Sequence, residues 1–403
     1  MRYVALAAIV ALALAAGTVA SDLVDRWFTT RIVIHLNDKE RVAVRLTSVA
    51  TRQNGTAWRG ETEGTGEPAL LMAWSGGRSS GMFAYRGRIY TFDKLTTIDG
   101  KIRAVAELDP ERMQVQHDAM HSQPSAQREA SIFARGVTSF VRRARAAQDH
   151  QHSHPAARPE DTASTAAPEI QPLSPAQRQE LVARKTTIDV MVLYTRKVAS
   201  KYVDVERDLI AHSFEEANAS FRNSGIGNIA LRLAHSQQMD YAETDKDHFN
   251  HLYRMVDGIG AFENVRALRN EWRADVVVLI VDDASGCGLA TRVAADAEEA
   301  FAVVHHACAA LMYSIPHEVG HIIGARHDAA LDQTTSPYPY GHGYVSGTKW
   351  RDIMSYNASC NGCPRLPIWS NPTITIKGEP AGTVVADNAR LLLEQAERVA
   401  NFR

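Results

Sequence analysis

Three histidines and one glutamate lie close together in the segment His317–Asp328, which reads H-E-V-G-H-I-I-G-A-R-H-D. His317 and His321 are four residues apart, so on a helix their side chains are offset by only about 40° and lie roughly 6 Å apart along the axis. Both imidazoles can therefore reach one metal ion. Glu318 follows the first histidine and is placed to accept a proton from a water at that metal.

His327 can join the other two histidines only if the helix ends before it. On a continuing helix it would lie about 9 Å beyond His321. Gly324 stands where the chain must turn back, and glycine tolerates the left-handed conformation that ends many helices. Three histidine ligands leave the fourth position of zinc open to water, which is typical of catalytic zinc. We therefore predict one catalytic Zn²⁺ bound by His317, His321 and His327, while calcium binding stays open.

The segment Asp352–Tyr356, which reads D-I-M-S-Y, follows the third histidine. An H-E-x-x-H-x-x-G-x-x-H motif followed by a methionine turn defines the metzincin zinc proteases, and this chain resembles them. The resemblance implies that Met354 packs beneath the imidazoles, where the alternative is an ordinary core methionine. It also implies that Tyr356 stabilises the oxyanion of the reaction, where the alternative is a structural tyrosine. We assign Asp328 a role in local structure.

Length and composition indicate a globular protein of two domains. The chain has 403 residues, 45% of them hydrophobic and 22% charged, which is ordinary for globular proteins. The net charge of −2 gives no reason to propose nucleic acid or an anionic membrane as a partner. The partners that we expect are peptide or protein substrates, and we expect a monomer.

The N-terminus has the pattern of a secretory signal peptide. A short basic head precedes an apolar run over 4–16 and small residues up to Ser21. The apolar run is too short for a good transmembrane span, and a retained anchor is the alternative. We predict a signal peptide over 1–20 and a mature protein that is secreted, extracellular or periplasmic, without a membrane segment.

Two further regions precede the catalytic part of the chain. Over 21–125, apolar residues alternate with polar ones between glycine-rich turns, which predicts an antiparallel β-rich domain, assigned as a propeptide. Residues 126–185 are predicted as a helical segment and a disordered linker rich in His, Pro and Ala, also in the propeptide. The linker histidines could bind metal, but we interpret them as solvated: His150, His152 and His154.

Residues 186–403 are predicted as the catalytic domain. Apolar runs predict four strands, over 188–194, 228–233, 276–281 and 301–306. The fold class is α+β with an α/β-like upper subdomain: a twisted mixed sheet, an active-site helix and a Met-turn, preceded by the antiparallel β-rich pro-domain. The metzincin resemblance implies that the strand over 301–306 is the edge that lines the cleft, where an extended peptide can pair. His305 and His306 are not needed as ligands, and Asp387 is predicted to cap the last helix.

The four cysteines, Cys287, Cys308, Cys360 and Cys363, all lie in the last third of the chain. An even count in an exported chain indicates two disulfides, with three possible pairings. We favour Cys287–Cys308 and Cys360–Cys363 because each pair is closest in sequence. A second zinc site made by the cysteines is the alternative, although a partner C-x-x-C is absent.

In addition to the histidine motif, several segments resemble one particular family among the metzincins. They are Ile188–Thr195, Cys287–Ala290, Ala302–His305, Ser370–Pro372 and Asp387–Arg390. Together they look like the bacterial peptidyl-Asp metalloendopeptidases, which are secreted, reprolysin-like zinc proteases. The resemblance covers about 186–403, and the β-rich part over 30–110 is similar to the pro-region of that family. It implies cleavage on the N-terminal side of Asp or Glu.

An acidic side chain entering a pocket must find a cation, because a buried carboxylate is costly unless it is paired. The family resemblance implies that the segment after the Met-turn walls this pocket. Arg365 is the only charged residue of that segment, Cys360–Leu366, so we predict that it binds the substrate carboxylate. A surface arginine without a special role is the alternative, and Arg292 and Arg326 are reserve candidates.

The sequence also bears on latency and on competing functions. Residues 21–185 contain no cysteine, which excludes a propeptide cysteine as a temporary zinc ligand. We predict that the propeptide inhibits the enzyme by covering the cleft and is removed near Arg184-Lys185. The competing functions are a non-catalytic zinc-stabilised secreted binding module and a zinc hydrolase with non-peptide substrates. Glu318 argues against the binding module, because a structural zinc site has no use for a base.

Overall fold

The computed structural model describes residues 31–92 except 38, 53–54, 75–78 and 87, the strand residues 102–103 and 106–108, and residues 170–403 except 245–246. The predicted signal peptide and the histidines of the predicted linker lie outside these residues. Within them, every helix is too short or too polar to cross a bilayer.

The N-terminal part forms one sheet of eight strands in the order β7-β1-β2-β3-β4-β5-β6-β8. Its strands are β1 Arg31–His35, β2 Arg41–Arg52, β3 Gly55–Thr62, β4 Pro68–Trp74, β5 Ser79–Tyr85, β6 Arg88–Phe92, β7 Ile102–Arg103 and β8 Ala106–Leu108. The pairings are antiparallel except that of β1 with β7. The β-rich N-terminal region predicted from the alternating pattern is therefore present.

Consecutive residues of this sheet point to opposite faces, as the pleat requires. Leu71 and Phe83 belong to a core on one face of the sheet. Their neighbours Leu70 and Met82 belong to the large core of the C-terminal part of the chain. One face of the sheet therefore packs against the rest of the molecule.

The C-terminal part is built around a five-stranded mixed sheet in the order β10-β9-β11-β13-β12. Its strands are β9 Thr186–Thr195, β10 Ile229–Met239, β11 Val276–Val281, β12 Gly288–Ala290 and β13 Phe301–His305. Four strands are parallel, and β12 pairs antiparallel with β13. The mixed α/β content predicted for this part is confirmed.

The main helices lie on both faces of this sheet. They are α1 Pro175–Ala183, α2 Ala211–Asn223, α3 His248–Val256, α4 Val265–Glu271, α5 Ser314–Ile323 and α6 Asn388–Val399. Along β11, Val278 and Ile280 pack in one core with residues of α2, α5 and α6. Val277 and Leu279 pack in the other core with residues of α3. Helices on both faces explain why β11 is uniformly apolar.

The helix α1 falls in the range that the sequence assigned to the linker. Ser174 caps it and exchanges hydrogen bonds with Gln177 in a capping box. A buried ion pair of 2.6 Å joins Arg178 to Asp387, which caps α6 as predicted. This pair attaches α1 to the C-terminal helix.

The prediction that the strand over 301–306 is the edge of the sheet is wrong. The strand β13 lies inside the sheet, between β11 and β12, so β12 is the edge next to it. The chain between Val281 and Phe301 turns back and places Gly288–Ala290 outside β13. The sequence pattern missed this strand because three residues are too short for a period-two signal.

The contact between the N-terminal sheet and α2 contains a buried ion-pair cluster. Arg59 binds the carboxylate of Glu215 at 2.8 Å and that of Glu216 at 2.9 Å. Burial raises the pKa of Glu216, and Arg59 opposes that rise. Because a buried carboxylate without a partner is costly, Arg59 couples the sheet to the C-terminal part.

We predict that Arg59→Gln lowers the free energy of unfolding at neutral pH by about 3–5 kcal/mol, because it leaves the buried carboxylate of Glu216 without its hydrogen-bonded cation. Arg45→Gln is the matched control on the same sheet. The ion pair of Arg45 with Glu61 is largely exposed, with side-chain exposures of 60% and 48%, and its loss should cost about 0–1 kcal/mol. Denaturant unfolding of the full chain measures both, and equal losses would contradict the prediction.

Candidate active site

The helix α5 carries the first two histidines and ends where the sequence predicted. Gly324 has a φ of 138°, and its amide bonds the carbonyl of Gly320 at 2.9 Å. A Cβ at Gly324 would stand 2.9 Å from a ring carbon of Tyr338. Both the conformation and the close approach therefore require glycine. The turn brings His327 back beside His321.

The three predicted ligands converge. The Nε2 atoms of His317, His321 and His327 lie 3.0 to 3.3 Å from one another. The Nδ1 atoms of His317 and His321 donate to the carbonyls of Ile353 and Ala325 at 2.9 and 2.8 Å. Carbonyls only accept, so both Nε2 atoms carry lone pairs.

Lone pairs that face one another at such distances repel unless a cation lies between them. Two nitrogens of a tetrahedral zinc site, each about 2.0–2.1 Å from the metal, are about 3.3 Å apart. The three histidines therefore form a group that could hold a metal ion, and all three are buried.

The turn that contains Met354 packs against the helix that carries the first two histidines. Met354 is fully buried, and its sulfur would be 3.3 Å from a Cβ at Gly320 of α5. Asp352 anchors the turn by accepting the hydroxyl of Ser355 at 2.6 Å and the amide of Ser370 at 3.0 Å. Burial raises the pKa of Asp352 to about 7.

Tyr356 lies at the edge of the histidine group. Its ring is perpendicular to that of His327, with the centroids 4.4 Å apart. Its amide donates to the carboxylate of Asp328 at 3.1 Å. Asp328 therefore positions the tyrosine through the backbone, which agrees with the structural role assigned to it.

Glu318 is buried, with 2% of its surface exposed. Burial raises its pKa to about 8, while a hydrogen bond from the amide of Ala290 and the charge of Arg365 oppose the rise. Its Oε1 atom has no hydrogen-bond partner in the part of the chain that the structure describes. Oε1 is therefore available to accept a proton.

Arg365 lies behind the Met-turn. It donates to the carbonyls of Met312 and Ser355 at 2.9 and 3.2 Å. Burial lowers its pKa. Its Nε atom has no hydrogen-bond partner among the described residues. The guanidinium therefore keeps one buried donor for another group.

Arg351 is a second guanidinium here, which the sequence reading missed. It shares the carbonyl of Ser355 with Arg365, at 3.3 Å. Burial lowers the pKa of Arg351 to about 9, and Arg365 adds to this effect. The residues that the structure describes place no carboxylate within 4.0 Å of either guanidinium. By contrast, both reserve candidates form ion pairs within the protein, Arg292 with Glu299 and Arg326 with Asp332.

A second group that could hold a metal consists of Asp282, His305 and His306. The two ring nitrogens of His306 bond Tyr202 at 2.9 Å and Asp282 at 3.0 Å. The Nδ1 atom of His305 accepts the amide of Ala307, so its lone pair is used. These hydrogen bonds occupy both ring nitrogens of His306 and the Nδ1 atom of His305.

Both predicted disulfides are present. Cys287 is joined to Cys308 and Cys360 to Cys363, and none of the cysteines is free. The first bond links β12 to the segment before α5. The second closes the loop in front of Arg365.

The comparison with known proteins points to peptidases. Residues 184–369 match the family model Reprolysin_5, described as Metallo-peptidase family M12. A peptidyl-Asp metalloendopeptidase of Xanthomonas campestris pv. campestris is 41% identical over 218 residues, which are 54% of this chain and 52% of that protein. One of Stenotrophomonas maltophilia (strain R551-3) is 40% identical over 227 residues, 54% and 53% of the two chains. The chain thus spans about half the length of these curated relatives.

Among solved structures, metalloproteinase-II from Bacteroides fragilis has a TM-score of 0.37 and 12% identity, covering 93% of this chain and 94% of that chain. This similarity is too low to carry an argument about the fold. The family match and the two relatives agree with the geometry of the three histidines. Residues 184–369 thus match a metallopeptidase family model, and about half of the chain is similar to the bacterial peptidyl-Asp metalloendopeptidases.

Proposed function

We propose that this protein is a secreted zinc metalloendopeptidase. The observation that carries the proposal is the convergence of three Nε2 atoms within 3.3 Å, next to the buried carboxylate of Glu318. Neutral imidazoles are good zinc ligands, and three of them leave a position open to water or substrate. The family match of residues 184–369 supports a peptidase reaction.

Each residue of the site has a part in this reaction. Zinc bound by the three histidines would polarise the substrate carbonyl and make water a stronger acid. Glu318 accepts the proton of the attacking water on its available oxygen and then delivers it to the nitrogen of the leaving amine. Tyr356 donates a hydrogen bond to the carbonyl oxygen as negative charge develops there.

Glu318 also argues against a non-catalytic binding module. A buried carboxylate with one unpartnered oxygen costs stability, and a purely structural zinc site gains nothing from it. Such a cost is typical of functional sites, where a group is kept ready for a reaction.

We predict that Glu318→Gln retains about one equivalent of zinc but hydrolyses casein at less than a tenth of the wild-type rate. Glutamine has the same shape as glutamate and cannot accept the proton. His327→Ala should instead lose the metal, because only two of the three histidine ligands remain. Zinc content and hydrolysis with and without a chelator measure both. Turnover above a tenth in Glu318→Gln would remove Glu318 as the base, and cleavage of only non-peptide substrates by the wild type would favour another hydrolase.

We also propose that the enzyme prefers an acidic residue directly after the cut. The relatives are named for Asp. In this chain Arg365 and Arg351 are two cations close behind the Met-turn with no carboxylate in contact among the described residues. Arg365 also keeps an unpartnered Nε donor. A substrate carboxylate would supply the missing anion through charge-assisted hydrogen bonds.

We predict that Arg365→Ala slows cleavage of a peptide with Asp after the cut by about 2–5 kcal/mol in transition-state free energy. The matched peptide with Asn should change little, since it has no charge. The ratio of the two rates separates recognition from general damage to the site. Arg292→Ala is the control, because Arg292 is committed to Glu299. An unchanged ratio of the Asp-peptide rate to the Asn-peptide rate in Arg365→Ala would show that another residue binds the substrate carboxylate.

We propose further that the N-terminal region, including the sheet, keeps the enzyme latent until the chain is cut near Arg184-Lys185. Both residues are exposed between α1 and β9, so a protease can reach them. The expected result is low activity of the intact chain and an active secreted form whose N-terminus lies close to this pair. N-terminal sequencing and activity of each form check this. An active form that retains residues 31–92 in the same chain would contradict it.

A further inference from the structure

The edge strand β12 lies against the side chain of Glu318. A Cβ built at Gly288 would stand 2.9 Å from both Cγ and Cδ of Glu318, and closer still to Oε1. Two residues on, the amide of Ala290 donates to the same carboxylate. We propose that Gly288 and the Ala290 amide form a seat that holds the Glu318 carboxylate in position. Gly288 is then a positioning residue for the proposed peptidase reaction, on which this inference rests.

Space, and not backbone conformation, is the reason for glycine at this position. Gly288 is absent from the described glycines that have a positive φ. It pairs with Val304 in an ordinary antiparallel register. An L-residue could adopt this backbone, so a side chain is excluded only by the glutamate that occupies its place.

The seat cannot move away from an added methyl group. Cys287, the residue before Gly288, is joined to Cys308 by a disulfide. Its carbonyl accepts the amide of His305 of β13 at 3.0 Å. Leu289 packs against the core on the far side of the sheet. The strand is thus fixed by a covalent bond, a hydrogen bond and packing.

The helix on the other side is fixed as well. All residues of α5 are buried, and a Cβ at Gly320 would already meet Trp369 at 2.7 Å. The group that must yield to a methyl at Gly288 is therefore the Glu318 carboxylate itself. A displacement of about 1 Å in a group that transfers a proton costs about 10²-fold in rate.

The test begins with Gly288→Ala, produced as the full chain and assayed after cleavage near Arg184-Lys185. We expect kcat to fall about 10²-fold, while zinc content and KM stay at their wild-type values because the metal ligands and the backbone groups of β12 are unchanged. Gly227→Ala is the matched control. Its methyl would meet the Arg222 side chain at 3.1 Å, so kcat should not change. A wild-type kcat in Gly288→Ala would overturn the seat.

A double-mutant cycle with Glu318→Asp separates positioning from general damage. Aspartate is one methylene shorter and withdraws the carboxylate from Gly288. We expect Gly288→Ala to cost less than about 3-fold in kcat in this background, by the reasoning of pairwise coupling. Gly288→Ala should lower the midpoint of thermal unfolding when residue 318 is glutamate. It should leave that midpoint unchanged in the Glu318→Asp background. Equal losses in both backgrounds would overturn the inference.

The other possible outcomes of these experiments also test the inference. If Gly288→Ala alone does not fold, recovery of folded protein on adding Glu318→Asp supports the seat, and failure of both contradicts it. A wild-type protein that stays inactive after cleavage near Arg184-Lys185 would overturn the proposed function and this inference with it. An active wild type with an unaffected Gly288→Ala variant would overturn the seat alone.

Discussion

The lone pairs of three imidazoles that point at one another are the constraint on which the site depends. The three Nε2 atoms lie 3.0 to 3.3 Å apart. This arrangement is favourable only when a cation lies between them. Each surrounding feature serves to hold them. Gly324 turns the chain back, the carbonyls of Ile353 and Ala325 fix the two tautomers, and Met354 packs against Gly320 of α5. The same carbonyls keep both rings from rotating, which is how hydrogen bonds behind a ligand usually prepare a metal site.

A second theme is charge buried without a full complement of partners. Glu318 keeps an oxygen without a hydrogen-bond partner among the described residues, and Arg365 keeps an Nε donor in the same condition. Two buried carboxylates elsewhere have a cation in contact, Glu216 with Arg59 and Asp387 with Arg178. Incomplete pairing is costly in a low-dielectric interior. Its occurrence at both Glu318 and Arg365 favours a site where substrate and water complete the pairing.

The sequence predicted the parts of this arrangement that depend on local spacing. His317 and His321 share a helix face at any position in a fold, and Gly324 marks the only nearby turn that can return His327. The disulfides followed from proximity along the chain. The β-rich N-terminal region and the buried strand β11 followed from apolar patterns.

The parts that were missed depend on contacts between distant segments. The edge strand β12 has only three residues, so its pairing with β13 left no periodic signal. Arg351 gave no signal of its own, because it becomes a neighbour of Arg365 only when the loop after the Met-turn folds back. The ion pairs of Arg59 join residues more than 150 positions apart. Such contacts arise from packing, which a single sequence does not display.

X-ray absorption at the zinc edge, on the purified wild-type protein, tests the central claim most directly. The account predicts one zinc per chain with three imidazole nitrogens and one oxygen, all at about 2.0–2.2 Å. A closed shell of four protein ligands, or zinc with two imidazoles and a carboxylate as Asp282, His305 and His306 would supply, would contradict it.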